Sequence, residues 1–323
     1  MKIMRFAALA ACLAIQTPAL ADETLVRVNT FPTARSLPFY VGIEKGLFAR
    51  HGIKLELEFT ENSKSQREGL AAGKFEVVHS AVDNALAMIE VAKIDVVIVS
   101  GGDGGTNEFI VGKGVKSYAD IRGKALVVDA PNTAYALQGI KVLSQQGLKL
   151  GADYKLNPVG NGTHRLEAMM KGGDNAAAIM NLPFSAQAIE AGMKSLGRVN
   201  DMLGPYQAGG AFVLRAWAKA HPDLLERYLA SYIESLRWVV DKKNRDEAIT
   251  LLMNKRSLSR SLAERSYDLM IEPGFGFNPD AKLNAEGFHN VLKLRQEIEG
   301  GPAPDPAKYL DLTYYDRALK LLK

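Results

Sequence analysis

Residues able to recognise a small polar solute stand in short stretches that follow apolar runs. Asn29 and Thr30 close the stretch 24–30 and Phe31, Arg35 and Phe39 follow it, while Ser80 closes 75–80 and Asp83 and Asn84 follow. Asp103 and Asn107 belong to "GGDGGTN" at 101–107. A second set holds Asn132, Thr133 and Tyr135, then Thr163, His164 and Arg165, then Asn181 with Phe184, and finally Gln207. A guanidinium offers paired N–H donors to an oxoanion, hydroxyls and carboxamides add neutral bonds, and aromatic rings wall off an apolar part. Three of these stretches lead into expected helices, whose first N–H groups and dipole favour anions. Arg35 is the leading anion contact. Asp83 and Asp103 would pair with an amine, so that with Arg35 a zwitterion also fits; otherwise Asp83 is a cap and Asp103 a turn residue. Phe39 suits a helix core as well as a ligand, and Asn132 or Thr133 is expected to cap the helix that follows.

The same inventory argues against catalysis and against several partner classes. No G-x-S-x-G or H-E-x-x-H motif occurs, and histidines 51, 79, 164, 221 and 289 lack metal-ligand spacing. "GGDGGTN" matches neither G-x-G-x-x-G nor the P-loop, so no nucleotide is expected. No cofactor or metal is expected. Lys2 and Arg5 supply two of the four net positive charges, leaving a balance unlike that of a nucleic-acid binder.

The elements that must position these residues alternate. "TLVRVNT" (24–30), "IKLELEF" (53–59), "FEVVHS" (75–80) and "DVVIVS" (95–100) read as strands, with helix patterns between them. Ser36 is a candidate cap for a helix ending at Gly46. About a hundred residues on, "ALVVDAPNTAYALQGIKVLSQQGL" (125–148) repeats the order strand, polar loop, helix, Gly-Leu. "HRLEAMMKGGDNAAAIMNLPFSAQ" (164–187) likewise echoes "REGLAAGKFEVVHSAVDNAL" (67–86). Two such sets predict two α/β lobes. Beyond residue 222 the pattern is helical, with Leu225, Tyr228, Leu229, Tyr232, Ile233 and Leu236 at helical spacing.

Residues 1–21 have the form of a secretory signal: a basic start, an apolar core at 6–15, and Ala-Leu-Ala before Asp22. Export to the periplasm with cleavage after Ala21 is expected. "LAAC" at 9–12 opens the alternative of a lipoprotein anchored through Cys12. Cys12 is the only cysteine, so a chain cleaved after Ala21 has neither disulfides nor thiol chemistry.

"PFYVGIEKGLFARHGIKLELE", "LAAGKFEVVHSAV", "MNLPF", "VLRAWAKAHPDLLERYLASYIESLRW" and "DPAKYLDLTYYDRAL" carry a family likeness. They resemble the nitrate/sulfonate/taurine branch of periplasmic substrate-binding proteins, which serve ATP-binding-cassette importers. Pyrimidine-binding proteins of thiamine salvage and the pyrimidine synthases belong to the same superfamily. The resemblance implies a two-lobed type II clamshell, each lobe a mixed sheet flanked by helices, with a helical C-terminal extension on lobe one. Lobe one would span 22–115 and 208–323 and lobe two 116–207, with crossings near 112–118 and 204–212. It further implies a monomeric receptor that closes about a small organic anion and passes it to a permease with its ATPase. A thiamine-related pyrimidine, or a sensing role beside a signalling receptor, is the alternative. The synthases are marked by a cysteine cluster that a cleaved chain lacks, so an enzyme is not expected.

Overall fold

The computed structural model describes residues 23–302 and 304–323. The expected export signal, its cleavage site and Cys12 lie outside the described residues. Two five-stranded sheets form. The first holds β1 (Thr24–Thr30), β2 (Ile53–Phe59), β3 (Val77–Ala81), β4 (Val96–Asp103) and β10 (Gly209–Leu214), in the order β2-β1-β3-β10-β4. The second holds β5 (Glu108–Val111), β6 (Ala125–Val128), β7 (Lys155–Pro158), β8 (Asn175–Met180) and β9 (Lys194–Arg198), in the order β7-β6-β8-β5-β9. Each sheet is parallel except for one inserted strand. β10 runs antiparallel to β3 and β4, and β5 antiparallel to β8 and β9. Those two strands are the ones by which the chain enters each sheet after changing lobes.

The first crossing differs from the sequence expectation. Lobe one ends at Asp103 and lobe two begins at Glu108, so the chain crosses at 104–107 and not at 112–118. Apolar strand residues run on both sides of "GGDGGTN", and nothing local says to which sheet "EFIV" belongs. The return runs through residues 204–208.

Helices flank both sheets. Lobe one carries α1 (Leu37–Glu44), α2 (Leu47–Arg50), α3 (Ser63–Ala71) and α4 (Val82–Glu90); lobe two carries α5 (Ala134–Gln145), α6 (Gly162–Lys171), α7 (Phe184–Glu190) and α8 (Val199–Leu203). After β10 come α9 (Arg215–Ala220), α10 (Pro222–Val240), α11 (Arg245–Arg256), α12 (Arg260–Met270), α13 (Ala285–Glu299) and α14 (Thr313–Lys320). The stripe on α10 buries Leu225, Tyr228, Leu229, Tyr232, Ile233 and Leu236 in one cluster with Val26, Val28, Phe39 and Val213. Each such side chain contributes about 1.5–3 kcal/mol. The tail is therefore part of the lobe-one core. Among the described residues no helix is long and apolar enough to cross a membrane.

Candidate functional site

The carboxyl ends of the strands face one another across a seam between the lobes. Several hydrogen bonds cross it. Ala34 N–H donates to the Leu182 carbonyl at 3.2 Å and Asn161 N–H to the Glu61 carbonyl at 3.0 Å. Ser63 Oγ donates to Asp129 Oδ2 at 2.7 Å, and Arg198 Nη1 to Glu272 Oε1 at 2.6 Å. The lobes are in contact along this line.

On the lobe-one side, Thr30, Phe31, Thr33, Arg35, Phe39, His79, Ser80, Asp103 and Tyr232 line a cavity of about 30 Å³, room for roughly two water molecules. Arg35 Nη1 donates to Asp103 Oδ1 at 2.7 Å, and Nη2 reaches the Tyr135 phenol of lobe two at 3.4 Å. Burial opposes the Arg35 charge, but Asp103 together with Tyr135 and Tyr232 more than offsets it and holds the guanidinium above its ordinary pKa. Gly209 makes that carboxylate's position possible, because a Cβ there would stand 2.1 Å from Asp103 Oδ2. An aromatic box backs the cavity. Phe39 stacks on Tyr232 with centroids 5.1 Å apart, and the His79 ring lies 4.9 Å from Phe39 and 4.3 Å from Tyr232. Burial pushes the imidazole pKa down to about 3, so His79 is neutral, and its Nε2 has no partner.

The lobe-two side is built differently. Arg165, 1 % exposed, lays its guanidinium carbon 4.1 Å from the Tyr135 ring centroid and donates Nη1 to the Gly160 carbonyl at 3.3 Å. Its Nε is unpartnered, and among the described residues it makes no ion pair. Tyr135 thus carries Arg165 on its face while its hydroxyl accepts from Arg35. Asn181 and Ser185 are fully buried with unpartnered side-chain atoms, and Phe184 packs beside them against Gly162.

Several expected contacts are engaged elsewhere. Asp83 is sealed inside lobe one, 3.3 Å from Arg295 Nη1 and accepting from the Tyr206 hydroxyl at 3.0 Å. Burial pushes its carboxyl up, and Arg295 pulls it partly back. The cap position of α4 belongs to Ala81, and the Asp83 carboxylate is spent on Arg295 and Tyr206. Asn29 accepts from Gln66, and Asn84 is held by Ser80, Ser63, Gln66 and Arg67. Asn107 donates to Gln138, and Gln207 joins Gly209 to Asn284 at the return crossing. These polar groups tie elements together, with Asn107 Oδ1 left unpartnered. The Asn132 carbonyl accepts from Arg295, on a surface away from the small cavity. Thr133 occupies the cap position of α5 without a capping bond, because its hydroxyl donates to Asp129 instead. Ser36, likewise, makes no cap and donates to the Phe31 carbonyl. At α6 the Asn161 side chain takes the Thr163 and His164 N–H groups, so that helix start offers them to no anion. Thr163 is exposed, and His164 sits 3.8 Å from Glu61.

Sequence reasoning missed His79, Tyr232, Asp129 and Ser185. His79 immediately precedes Ser80, and strand ends flag it. Tyr232 lies on a helix in the C-terminal tail, where the rule of loops beyond strand ends does not look.

Two mixed sheets of this order, joined by two crossing segments with polar groups converging between them, form the type II periplasmic-binding-protein fold. The chain belongs to the NMT1-like family, whose sequence model matches residues 20–253. The nitrate-binding protein NrtA of Synechocystis PCC 6803 superposes with a TM-score of 0.78 at 12% identity, over 94% of this chain and 90% of that one. The alkanesulfonate-binding protein SsuA of Xanthomonas axonopodis pv. citri, bound to MOPS, gives 0.72 at 15% identity, over 90% of this chain and 97% of that one. The desulfurization enzyme DSZB gives 0.63 at 13% identity, over 93% of this chain and 99% of that one. Identities this low speak to fold, and the fold serves both binding proteins and an enzyme. No curated protein sequence matches the chain.

Proposed function

We propose that the protein is a solute-binding receptor of an ATP-binding-cassette importer, exported to the periplasm and monomeric. It takes a small organic anion, a sulfonate or carboxylate, between its lobes and presents the closed form to a permease. One observation carries the anionic choice: the Arg165 guanidinium is buried at the seam with no carboxylate among the described residues to balance it. A buried charge without a counter-ion is costly, and a bound anion supplies the missing partner. Arg35, the leading candidate in the sequence, is already neutralised by Asp103 and is the weaker determinant. Solutes bound by the nitrate- and alkanesulfonate-binding neighbours are of the same charge class. Hinge closure follows if the anion completes contacts that exist only when the lobes meet.

A receptor role also fits the chemistry of the seam. His79 sits in its aromatic box with Nε2 unpartnered, so no hydroxyl is hydrogen-bonded to it there. The box of Phe39, His79 and Tyr232 favours a second reading, a flat ring such as a thiamine-related pyrimidine.

A thermal-shift screen of alkanesulfonates, carboxylates, nitrate and pyrimidines separates these readings. A solute at 100 times its Kd stabilises by about 2.7 kcal/mol. Stabilisation by anions supports the proposal, and a response to pyrimidines alone overturns it.

A further inference from the structure

Asn181 follows β8, and its side chain is wholly shielded from solvent, yet neither Nδ2 nor Oδ1 has a partner. Exchanging the amide's two ends leaves the same vacancy, so the orientation assigned to it does not matter. Buried polar atoms are overwhelmingly paired, and an unpaired one is costly. The residue stands at the seam. The next carbonyl, that of Leu182, accepts the Ala34 N–H of lobe one, and the Leu182 and Ala186 side chains belong to the lobe-one core cluster. Ser185, whose own N–H bonds the Asn181 carbonyl at 3.0 Å, has an unpartnered hydroxyl, and Arg165 contributes a free Nε. Lobe two therefore offers two donors, one acceptor, and one hydroxyl that serves as either.

A bare sulfonate, carboxylate or nitrate presents acceptors only. It satisfies Arg165 and Asn181 Nδ2 but leaves Oδ1 unpaired and close to negative charge. The solute that fits all the vacant positions carries a donor as well. A cationic amine would seek a carboxylate, and the one lining the cavity, Asp103, is engaged by Arg35 at 2.7 Å. A neutral donor, an N–H or an O–H, remains. We infer that the solute is an anion bearing a neutral hydrogen-bond donor, an amide N–H or a hydroxyl, which Asn181 reads with Oδ1 while Arg165 and Asn181 Nδ2 hold the acceptors. This inference rests on the anion reading and narrows it.

The test compares matched probes that differ in the N–H alone: oxamate against pyruvate, N-acetylglycine against acetoxyacetate, and sulfoacetamide against acetonylsulfonate. Calorimetry on the chain cleaved after Ala21 should show the amide member binding roughly tenfold or more tightly. In Asn181→Leu the members of each pair should converge, with near-ultraviolet circular dichroism confirming that the variant is folded. Equal affinity within every pair in the unmodified protein overturns the inference and leaves the anion reading intact. Binding of simple alkanesulfonates, with every amide probe rejected, does the same. Rejection of all anions, with or without an N–H, overturns both.

Discussion

The two faces of the seam treat their buried arginines in opposite ways. In lobe one Arg35 has Asp103, Asn29 has Gln66, and Asn84 is held among Ser80, Ser63 and Gln66. In lobe two Arg165 lacks a counter-ion, and Asn181 and Ser185 lack partners. The contrast extends to the two most deeply buried guanidiniums. Arg295 is balanced by Asp83 and Glu299 behind the seam, whereas Arg165 is balanced by nothing in the described chain. A paired charge is structural and a solitary one awaits something. Lobe one balances its buried arginines and leaves neutral atoms such as His79 Nε2 unpartnered, whereas lobe two leaves a charge, that of Arg165, unbalanced among the described residues.

That contrast breaks most visibly if the two arginines are exchanged for neutral residues. Arg295→Ala leaves Asp83 buried without its partner and should cost about 3–5 kcal/mol in urea unfolding. Arg165→Met removes an unbalanced charge, so stability without solute should hold or rise. Anion affinity should fall by about 1.5–3 kcal/mol in calorimetry. If Arg165→Met unfolds as readily as Arg295→Ala, both arginines are structural and the comparison collapses.

The seam itself gives a smaller effect. Ser63→Ala deletes the donor that lobe one sends to Asp129, and should disfavour the joined state by about 1.5 kcal/mol. Small-angle scattering should then show a more open particle, and solute should leave faster. An unchanged scattering profile would mean that the lobes are held by other contacts.

His79 sharpens the comparison from the lobe-one side. Its folded pKa, about 3, lies below the ordinary 6.5, so the unfolded chain takes up the proton first. Stability is therefore full above pH 6.5 and is lost as pH falls through the window toward 3. Between pH 6.5 and 5.5 the loss from this group is about 1 kcal/mol. Unfolding curves of His79→Phe should lack that increment. An identical pH slope in the variant would show that the imidazole is hydrated, and the box open.

Much of the architecture was legible because strand and helix periodicities are local. "TLVRVNT" and "IKLELEF" form β1 and β2 at 24–30 and 53–59, and the α10 stripe buries the leucines and tyrosines picked out by spacing. Caps were less legible, since Ser36 and Thr133 had hydroxyl acceptors closer to hand than the helix N–H groups. The site was legible only as a list. Arg35, Tyr135, Arg165 and Asn181 were on it beside Asp83, Asn84, Asn107 and Gln207, and the sequence marked no difference between the two groups.

From its residues alone this chain determined alternating strands and helices in two sets, an apolar helical tail, and a supply of polar groups beyond strand ends. Tertiary structure decided which sheet claims residues 108–111, because strand pairing is a choice among distant partners. It also decided which polar groups are spent on the fold. Asp83 finds Arg295 from 212 positions away, and Asp103 finds Arg35 from 68. A buried charge is settled by whatever stands within a few ångströms of it, and sequence spacing does not report that distance.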